Sequence, residues 1–104
     1  MKPRMYDLCN VEAYTYILRC NDGTFYTGST KNLKRRLTQH RTGMGAKYTK
    51  KRLPVELVYL ELFMRIDEAF YREKQIQSWS QLKKAALIEN CKERLPALCK
   101  KVFE

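Results

Sequence analysis

Five polar side chains fall on positions that the sequence predicts to face inward or half inward: Tyr16, Tyr26, Arg36, His40 and Glu73. Hydrolysis of a phosphodiester needs a group that takes a proton from water, a cation that holds the developing negative charge, and a metal ion that steadies the leaving oxygen. A phenol, a guanidinium and a carboxylate supply these parts. A single carboxylate suits Mg²⁺ (or Mn²⁺), because magnesium keeps most of its waters. The set therefore indicates metal-dependent cleavage of a nucleic acid.

Each of these residues also has a structural explanation. A tyrosine in a strand commonly packs its ring in the core with its hydroxyl at the rim. Arg36 and Glu73 can form one ion pair, and a lone histidine on a helix is commonly satisfied or exposed. It is the joint occurrence that favours catalysis, so the functional interpretation depends on these side chains converging in space.

The hairpin predicted over residues 11–28 must position the two tyrosines, and its register decides whether they meet. Its turn signal is Asn21-Asp22-Gly23. A two-residue loop pairs Leu18 with Thr27 and places the tyrosines on opposite faces of the ribbon. A three-residue loop, with the turn glycine in the left-handed conformation, pairs Leu18 with Tyr26 and places both tyrosines on one face. The turn residues by themselves leave both registers open.

A helix is predicted over residues 31–42, with Thr30 as its N-cap. At about 100° per residue, Arg36 and His40 lie within about 60° of the buried leucine stripe. The neighbouring Arg35 points nearly the opposite way. Of two adjacent arginines, one is thus predicted to face water and the other to lean towards the core.

The remaining elements complete an α+β pattern, β-β-α-β-α-α, in which a small three-stranded antiparallel sheet is covered by helices. Val55–Met64 is apolar at almost every position and is predicted to be a central strand with both faces covered. Three helices are predicted to follow: one capped by Asp67 and running to about Trp79, one over 81–94 capped by Ser80, and a short last one from Pro96.

The net charge of +10 is concentrated in one segment. Residues 31–54 hold nine basic side chains and no acidic one. Such a concentration favours a polyanionic partner, most simply a nucleic acid, over a merely solvated face, where signs usually mix. A basic membrane-surface helix is less consistent, because the apolar stripe is narrow. The predicted nucleic-acid contacts are Lys34, Arg35, Lys47, Tyr48, Lys50, Lys51 and Arg52.

Several other functional classes lack their signals. The four cysteines form no CxxC and there is one histidine, so a zinc site lacks its usual spacing. The basic loop 43–52 lacks the Gly-Lys-Ser/Thr of a P-loop. No signal peptide or apolar run of about 18 residues is present, which favours a cytoplasmic protein with free thiols. A single domain over 1–104 is expected, with its core at about 13–90 and a helical extension over 91–104.

Two short elements resemble those that name the GIY-YIG nuclease superfamily: Tyr14-Thr15-Tyr16 and Tyr26-Thr27-Gly28. They are followed by Asn32-Leu33-x-x-Arg36-Leu37-x-x-His40 and by Arg72-Glu73. Three further stretches, 16–20, 43–49 and 52–59, are similar to the small single-domain branch, which is related to the nuclease domain of the DNA-repair protein UvrC. The ordered set over about 13–90 is specific, although Tyr14 stands where a glycine is usual and Thr15 and Thr27 replace isoleucines.

The resemblance implies a role for each candidate. Tyr16 and Tyr26 match the tyrosines of the two elements, one of which acts as general base or positions the attacking water. Arg36 matches the arginine that stabilises the phosphate charge, and His40 matches a position with a role in proton transfer or phosphate contact. Glu73 matches the glutamate that binds the single divalent metal ion. The resemblance also favours the three-residue hairpin loop, because that loop brings the two phenols together.

A phenol ordinarily ionises near pH 10, so a phenolic base needs help. Arg36, Lys47 or the metal must lower that pKa, or the proton must pass through another group. Cleavage is therefore expected to rise through mildly alkaline pH.

The resemblance implies an endonuclease acting on DNA, more on branched, flapped or damaged structure than on a long sequence, because so short a chain has no second module to read sequence. RNA remains open as a substrate, as do a protein partner for targeting and a monomeric or weakly dimeric state. One alternative is a non-catalytic nucleic-acid-binding module on the same fold. Another is a protein-interaction domain whose docking helix carries Leu95, Leu98, Val102 and Phe103.

Overall fold

A computed structural model describes residues 11–91, with the backbone alone at position 91. Its elements in chain order are β1 (Ala13–Arg19), β2 (Phe25–Thr30), α1 (Leu33–Arg41), α2 (Lys47–Lys50), β3 (Glu56–Phe63), α3 (Ile66–Gln77) and α4 (Gln81–Cys91). The predicted α+β class and the three-stranded antiparallel sheet are confirmed. The single turn of α2 is an addition, since that segment was expected to be a loop.

The sheet has the order β2-β1-β3, so β1 is the central strand and β3 lies at an edge. The prediction that Val55–Met64 is a central strand is therefore wrong. Its apolar run has another cause, because side chains from β3 pack into the cores on both faces of the sheet. A strand covered on both faces has the same apolar pattern whether or not it has two neighbours.

The hairpin adopts the three-residue register, which confirms the second of the two registers considered. Leu18 pairs with Tyr26, and Tyr16 pairs with Gly28. The turn is closed by a hydrogen bond of 2.8 Å from the backbone N–H of Cys20 to the carbonyl of Thr24. Gly23 has φ +85°, a left-handed conformation that suits glycine because a side chain would crowd the backbone.

Two hydrophobic cores lie on opposite faces of the sheet. The α1 core is formed by buried side chains of β1, α1 and β3: Tyr16, Leu18, Leu33, Leu37 and Leu60. The core on the other face contains Ile17, Tyr59 and Ile76, with partly buried side chains of β2, β3 and α4 against it. Successive side chains of a strand point to opposite faces, so β1 contributes to both cores.

The helix caps differ from those predicted in two places. Helix α1 begins at Leu33, and its N-cap is Asn32, whose side chain accepts a hydrogen bond of 3.0 Å from the N–H of Arg35. Thr30 instead accepts from the N–H of Asn32, so it stabilises the turn before the helix.

Helix α3 has Arg65 as its N-cap, because the helix begins before Asp67. The Ser80 cap of α4 is confirmed by a bond of 3.1 Å from the N–H of Lys83 to the Ser80 hydroxyl.

Several predicted features lie outside the described residues. These are the helix from Pro96, the docking helix with Leu95, Leu98, Val102 and Phe103, the thiols of Cys9, Cys91 and Cys99, and the structure of the extension beyond 91. Cys20, which is described, is a buried free thiol. Over residues 11–91, no helix has the length and apolar character needed to cross a membrane.

Candidate active site

Tyr16 and His40 form the centre of a polar cluster inside the α1 core. The hydroxyl oxygen of Tyr16 lies 2.9 Å from Nε2 of His40. The other ring nitrogen, Nδ1, lies 2.8 Å from the hydroxyl oxygen of Thr49, which in turn donates to the carbonyl of Ala46. Tyr16, His40 and Thr49 each have 0% exposed surface. A continuous chain of hydrogen bonds therefore runs from the phenol on β1 through the imidazole on α1 to α2.

Burial shifts the pKa values of Tyr16 and His40 in opposite directions. It raises the pKa of Tyr16 to about 12, because a phenolate would lose its hydration, and the hydrogen bond with Arg36 only partly opposes this rise. Burial and then the charge of Arg36 lower the pKa of His40 to about 4. At neutral pH the pair is thus a neutral phenol next to a neutral imidazole, and the imidazole has a nitrogen free to accept a proton.

Gly28 makes room for the Tyr16 hydroxyl. A Cβ atom added to this glycine would lie 2.4 Å from the hydroxyl oxygen and 2.6 Å from the ring carbon that carries it. Both atoms belong to a side chain that is packed in the core, so any larger residue would have to displace the ring. The glycine of the second element therefore determines where the tyrosine of the first element can place its oxygen.

Tyr26 shares a face with Tyr16, as the register requires, and is partly exposed. Its ring contacts the His40 ring edge-on at 5.3 Å between centroids and stacks on Tyr48 at 6.1 Å. Tyr48 donates a hydrogen bond of 2.6 Å to the Thr24 hydroxyl. Tyr26 is therefore the outer phenol of the cluster, held between α1 and α2.

Arg36 is half-buried and brings a positive charge to both phenols. Burial acts to lower its pKa, but hydrogen bonding and charge interaction with Tyr16 and Tyr26 raise the pKa overall. One of its Nη atoms also donates to the Gln39 side chain at 3.0 Å. Arg36 lines a surface hollow of about 250 Å³ at the start of α1. Its guanidinium thus connects the buried pair with the protein surface.

Glu73 lies on α3, which packs on the other face of the sheet, and it approaches the cluster at the β2 edge. Its Oε1 accepts a short hydrogen bond of 2.5 Å from Ser29, and its Oε2 accepts one of 2.8 Å from Gln77. Its charge contributes to the raised pKa of Tyr16. Within residues 11–91 no ion pair joins it to Arg36, and no group of three metal-ligating side chains occurs. Glu73 is therefore coupled to the cluster through its charge.

The predicted nucleic-acid contacts divide into two kinds. Exposed cations extend along α1 and α2: Lys34, Arg35, Lys47, Lys50 and Lys51. Arg52 and Tyr48 are half-buried and hold the structure together. The Arg52 guanidinium lies 3.8 Å from the Tyr48 ring centre and pairs with Asp22 in the hairpin turn at 3.0 Å. These two residues therefore fix α2 to the hairpin.

Sequence reasoning missed Thr49, Ser29 and Gln77, which contact the predicted residues. Thr49 lies in the stretch 43–49, but nothing in its type distinguishes it from a surface threonine. Gln77 was within reach of sequence analysis, because it stands four positions after Glu73 on the same helix.

A profile of the GIY-YIG catalytic domain matches residues 12–86. The chain belongs to the GIY-YIG family. A UPF0213 protein of Staphylococcus saprophyticus is 49% identical over 75 residues, which cover 72% of this chain and 92% of that protein. A UPF0213 protein of Streptococcus agalactiae is 46% identical over 85 residues, which cover 82% and 97%. The solution NMR structure of a UPF0213 protein from Bacillus halodurans is 40% identical, with a TM-score of 0.52 over 77% of this chain and 85% of that one.

In this GIY-YIG protein the two namesake elements lie side by side, because Tyr16 on β1 is paired with Gly28 on β2. The domain match includes every predicted catalytic position, from Tyr16 to Glu73. Membership supports a nuclease-type function, and nucleases of this family generally act on DNA and use divalent metal ions.

Proposed function

We propose that this protein is a metal-dependent endonuclease that hydrolyses phosphodiester bonds in branched, flapped or damaged DNA, within cytoplasmic DNA repair or recombination. One observation carries the proposal: a phenol hydrogen-bonded at 2.9 Å to a neutral imidazole, with Arg36 beside it. A purely structural core would gain little from burying three polar side chains together, since each loses its hydration.

The proton from the attacking water passes to Tyr16, while Tyr16 passes its own proton to His40. With a pKa of about 12, Tyr16 is not ionised at rest, so it cannot be a base unless its proton leaves at the same time. His40 can take that proton because it is uncharged at neutral pH and its Nε2 lies 2.9 Å from the Tyr16 oxygen. The negative phosphate of the bound DNA would have to stabilise the imidazolium, which burial and Arg36 disfavour in the free protein. This step requires that DNA binding open a path to the Tyr16 hydroxyl, which has no exposed surface in the free protein.

Tyr26 and Arg36 are the groups that face the substrate. Both are partly exposed, and Arg36 lines the hollow at the start of α1. A guanidinium can donate two parallel hydrogen bonds to a phosphate and is always charged. Arg36 therefore stabilises the negative charge that develops on the phosphate, and Tyr26 orients the water against it.

Glu73 fits a metal ion that keeps most of its waters. The carboxylate has one donor on each oxygen, Ser29 and Gln77, which orient it and leave lone pairs free. A lone carboxylate with fixed orientation suits Mg²⁺ or Mn²⁺. When bound, the ion would stabilise the leaving oxygen. Ser29 and Gln77 hold the carboxylate at the edge of β2.

The exposed lysines of α1 and α2 supply affinity for the DNA backbone. Contacts to phosphate fix position without reading bases, which matches a preference for structure over sequence. The protein is proposed to act as a monomer or weak dimer, and a protein partner for targeting remains open.

A non-catalytic nucleic-acid-binding module is the second candidate. It is favoured by the complete burial of Tyr16 and His40, which a binding protein would not need to expose. It shares the basic surface with the first candidate, so binding data alone do not separate the two.

One cleavage assay separates them. The protein is incubated with supercoiled, flapped and four-way-junction DNA, and with the matching RNA junction, each with Mg²⁺, with Mn²⁺ and with chelator. Metal-dependent nicking of the branched DNA is expected. Glu73→Gln should abolish it while leaving the Kd for DNA within about twofold, because the carboxylate charge holds the metal and not the DNA. Glu68→Gln, an exposed change on the same helix, should cleave normally.

Two results would refute the proposal. Binding without cleavage of any substrate in either metal would favour the non-catalytic module. Normal cleavage by Glu73→Gln would show that the metal is held elsewhere.

A further inference from the structure

Thr49 is a buried residue outside the predicted site that contacts His40 directly. Its hydroxyl oxygen lies 2.8 Å from Nδ1 of His40 and 3.1 Å from the carbonyl oxygen of Ala46. It lies in α2, a single turn fixed to the hairpin by Tyr48 and Arg52. The hydroxyl is therefore held in one place relative to the imidazole.

The position of each proton in this series of hydrogen bonds follows from its last acceptor, the Ala46 carbonyl. The Ala46 carbonyl accepts hydrogen bonds of 3.0 Å from the backbone N–H of Lys50 and of 3.1 Å from the Thr49 hydroxyl, whose single proton is thereby directed at Ala46. Towards His40 the Thr49 oxygen can then only accept, which places the imidazole proton on Nδ1. Nε2 is left bare, and Tyr16 must donate to it. All the hydrogen bonds in the chain thus run in the same direction, from phenol to carbonyl.

We infer that Thr49 is a positioning residue for the nuclease reaction: it fixes His40 in the Nδ1–H tautomer, so that the proton of Tyr16 points at a nitrogen able to take it. The expected effect on cleavage rests on the proposed function, whereas the tautomer is a property of the free protein. In the other tautomer Nε2 carries the proton and donates to Tyr16, and the phenol then has no acceptor for its own.

Removing the Thr49 hydroxyl should remove the preference for one tautomer. In Thr49→Val, a proton on Nδ1 would be buried against a methyl group without an acceptor. A proton on Nε2 would have the Tyr16 oxygen as its acceptor, but the Tyr16 proton would then lack one. Since each tautomer leaves one buried donor unsatisfied, the imidazole should populate both, with the shape of the side chain almost unchanged. Thr49→Ser keeps the hydroxyl and is the matched control.

The tautomer is measured by long-range ¹H–¹⁵N correlation spectra of protein labelled with ¹⁵N-histidine at pH 7. The sequence contains one histidine, so the signals need no assignment. The wild type and Thr49→Ser should show the proton on Nδ1, and Thr49→Val should show a mixture in which a substantial fraction carries it on Nε2. An Nε2–H imidazole in the wild type, or an unchanged tautomer in Thr49→Val, would overturn the inference. If Thr49→Val does not fold, the wild-type spectrum still tests whether the imidazole proton is on Nδ1.

The consequence is measured as single-turnover cleavage of junction DNA. Thr49→Val should cleave more slowly than the wild type by about the factor by which its Nδ1–H population falls, with an unchanged Kd for DNA. Thr49→Ser should stay within about threefold of the wild type by the same reasoning. A shift towards Nε2–H with a normal rate would overturn the positioning role. If the wild type cleaves nothing, the proposed function fails, whereas the spectra still test the tautomer.

Discussion

The two faces of the sheet bury their side chains in different ways. The core opposite α1 contains Ile17, Tyr59 and Ile76 and is held by apolar packing, with an ion pair of 2.9 Å between Arg72 and Glu61 at its rim. The α1 core contains leucines but also encloses an imidazole and the hydroxyls of a tyrosine and a threonine. Buried polar groups cost free energy unless they are paired.

The difference lies in what the buried polar groups bond to. On the α1 side the polar groups bond to one another in a chain, and Arg36 extends that chain to the surface. On the α3 side the buried Thr15 hydroxyl donates to the carbonyl of Ala69 at 2.7 Å, and the buried Thr27 hydroxyl has no hydrogen-bond partner among residues 11–91. A chain of titratable groups suits proton transfer, whereas a side chain bonded to a backbone carbonyl suits helix docking.

The largest difference between the faces should appear when a buried tyrosine loses its hydroxyl. Tyr16→Phe should slow single-turnover cleavage by roughly 10²- to 10⁴-fold, because the proton relay is lost. Tyr59 lies on the other face of the sheet from Tyr16, and Tyr59→Phe removes a hydroxyl that bonds to the Glu61 side chain. It should cost about 1 kcal/mol of unfolding free energy and leave the cleavage rate unchanged. A Tyr59→Phe protein that cleaves as slowly as Tyr16→Phe would remove the distinction between the faces.

A smaller effect is expected in the pH dependence of stability. His40 has a pKa of about 4 when folded and an ordinary value of 6.5 when unfolded. Between these values the unfolded state binds the proton more readily, so stability rises with pH and levels off above 6.5. The gain over that window is roughly 3 kcal/mol at about 1.4 kcal/mol per pKa unit.

Urea unfolding from pH 4.5 to 7.5 measures this gain in the free energy of unfolding, with His40→Gln as the variant that lacks the titrating group. The carboxylates common to both proteins cancel in the difference. The wild type should lose stability relative to His40→Gln as pH falls. Parallel curves would show that His40 titrates normally and is not buried as the α1 core requires.

The smallest effect concerns the outer surfaces of the two faces. Replacing Lys50 and Lys51 by Gln should weaken DNA binding equally for all sequences and reduce the salt slope, log Kd against log salt, by roughly two. Replacing the exposed Lys74 and Lys83, which lie on α3 and α4, removes the same charge and should leave that slope unchanged. An equal reduction of the salt slope by the two pairs of lysine substitutions would mean that DNA is bound by net charge and not by the α1 side.

The sequence predicted features that depend on local geometry and periodicity. The register of the hairpin was narrowed to two possibilities, and the buried side of α1, with Leu37 and His40, follows from helical spacing. The order of the strands could not be predicted, since coverage by helices makes an edge strand apolar on both faces. The cap of α1 was misplaced because Thr30 and Asn32 are both good cap residues, and tertiary context selects between them.

Partners of the site residues were the least predictable. Thr49 is nine positions from His40, and Ser29 is 44 positions from Glu73, so neither contact has a sequence period that would reveal it. Gly28 stands in the second namesake element. Glycine is needed there because the Tyr16 hydroxyl takes up the space of a side chain, which is a tertiary contact. Residue types indicated the chemistry, and only folding shows which groups touch.

The claim that Tyr16 and His40 act as one proton-transfer unit is tested most directly by a double-mutant cycle. Single-turnover cleavage of junction DNA in Mg²⁺ is measured for the wild type, Tyr16→Phe, His40→Gln and the double variant, each at saturating protein. Groups that act as a unit are not additive, so the double variant should be no slower than the slower single variant. Rate losses that multiply, or a single variant that cleaves at the wild-type rate, would contradict the account.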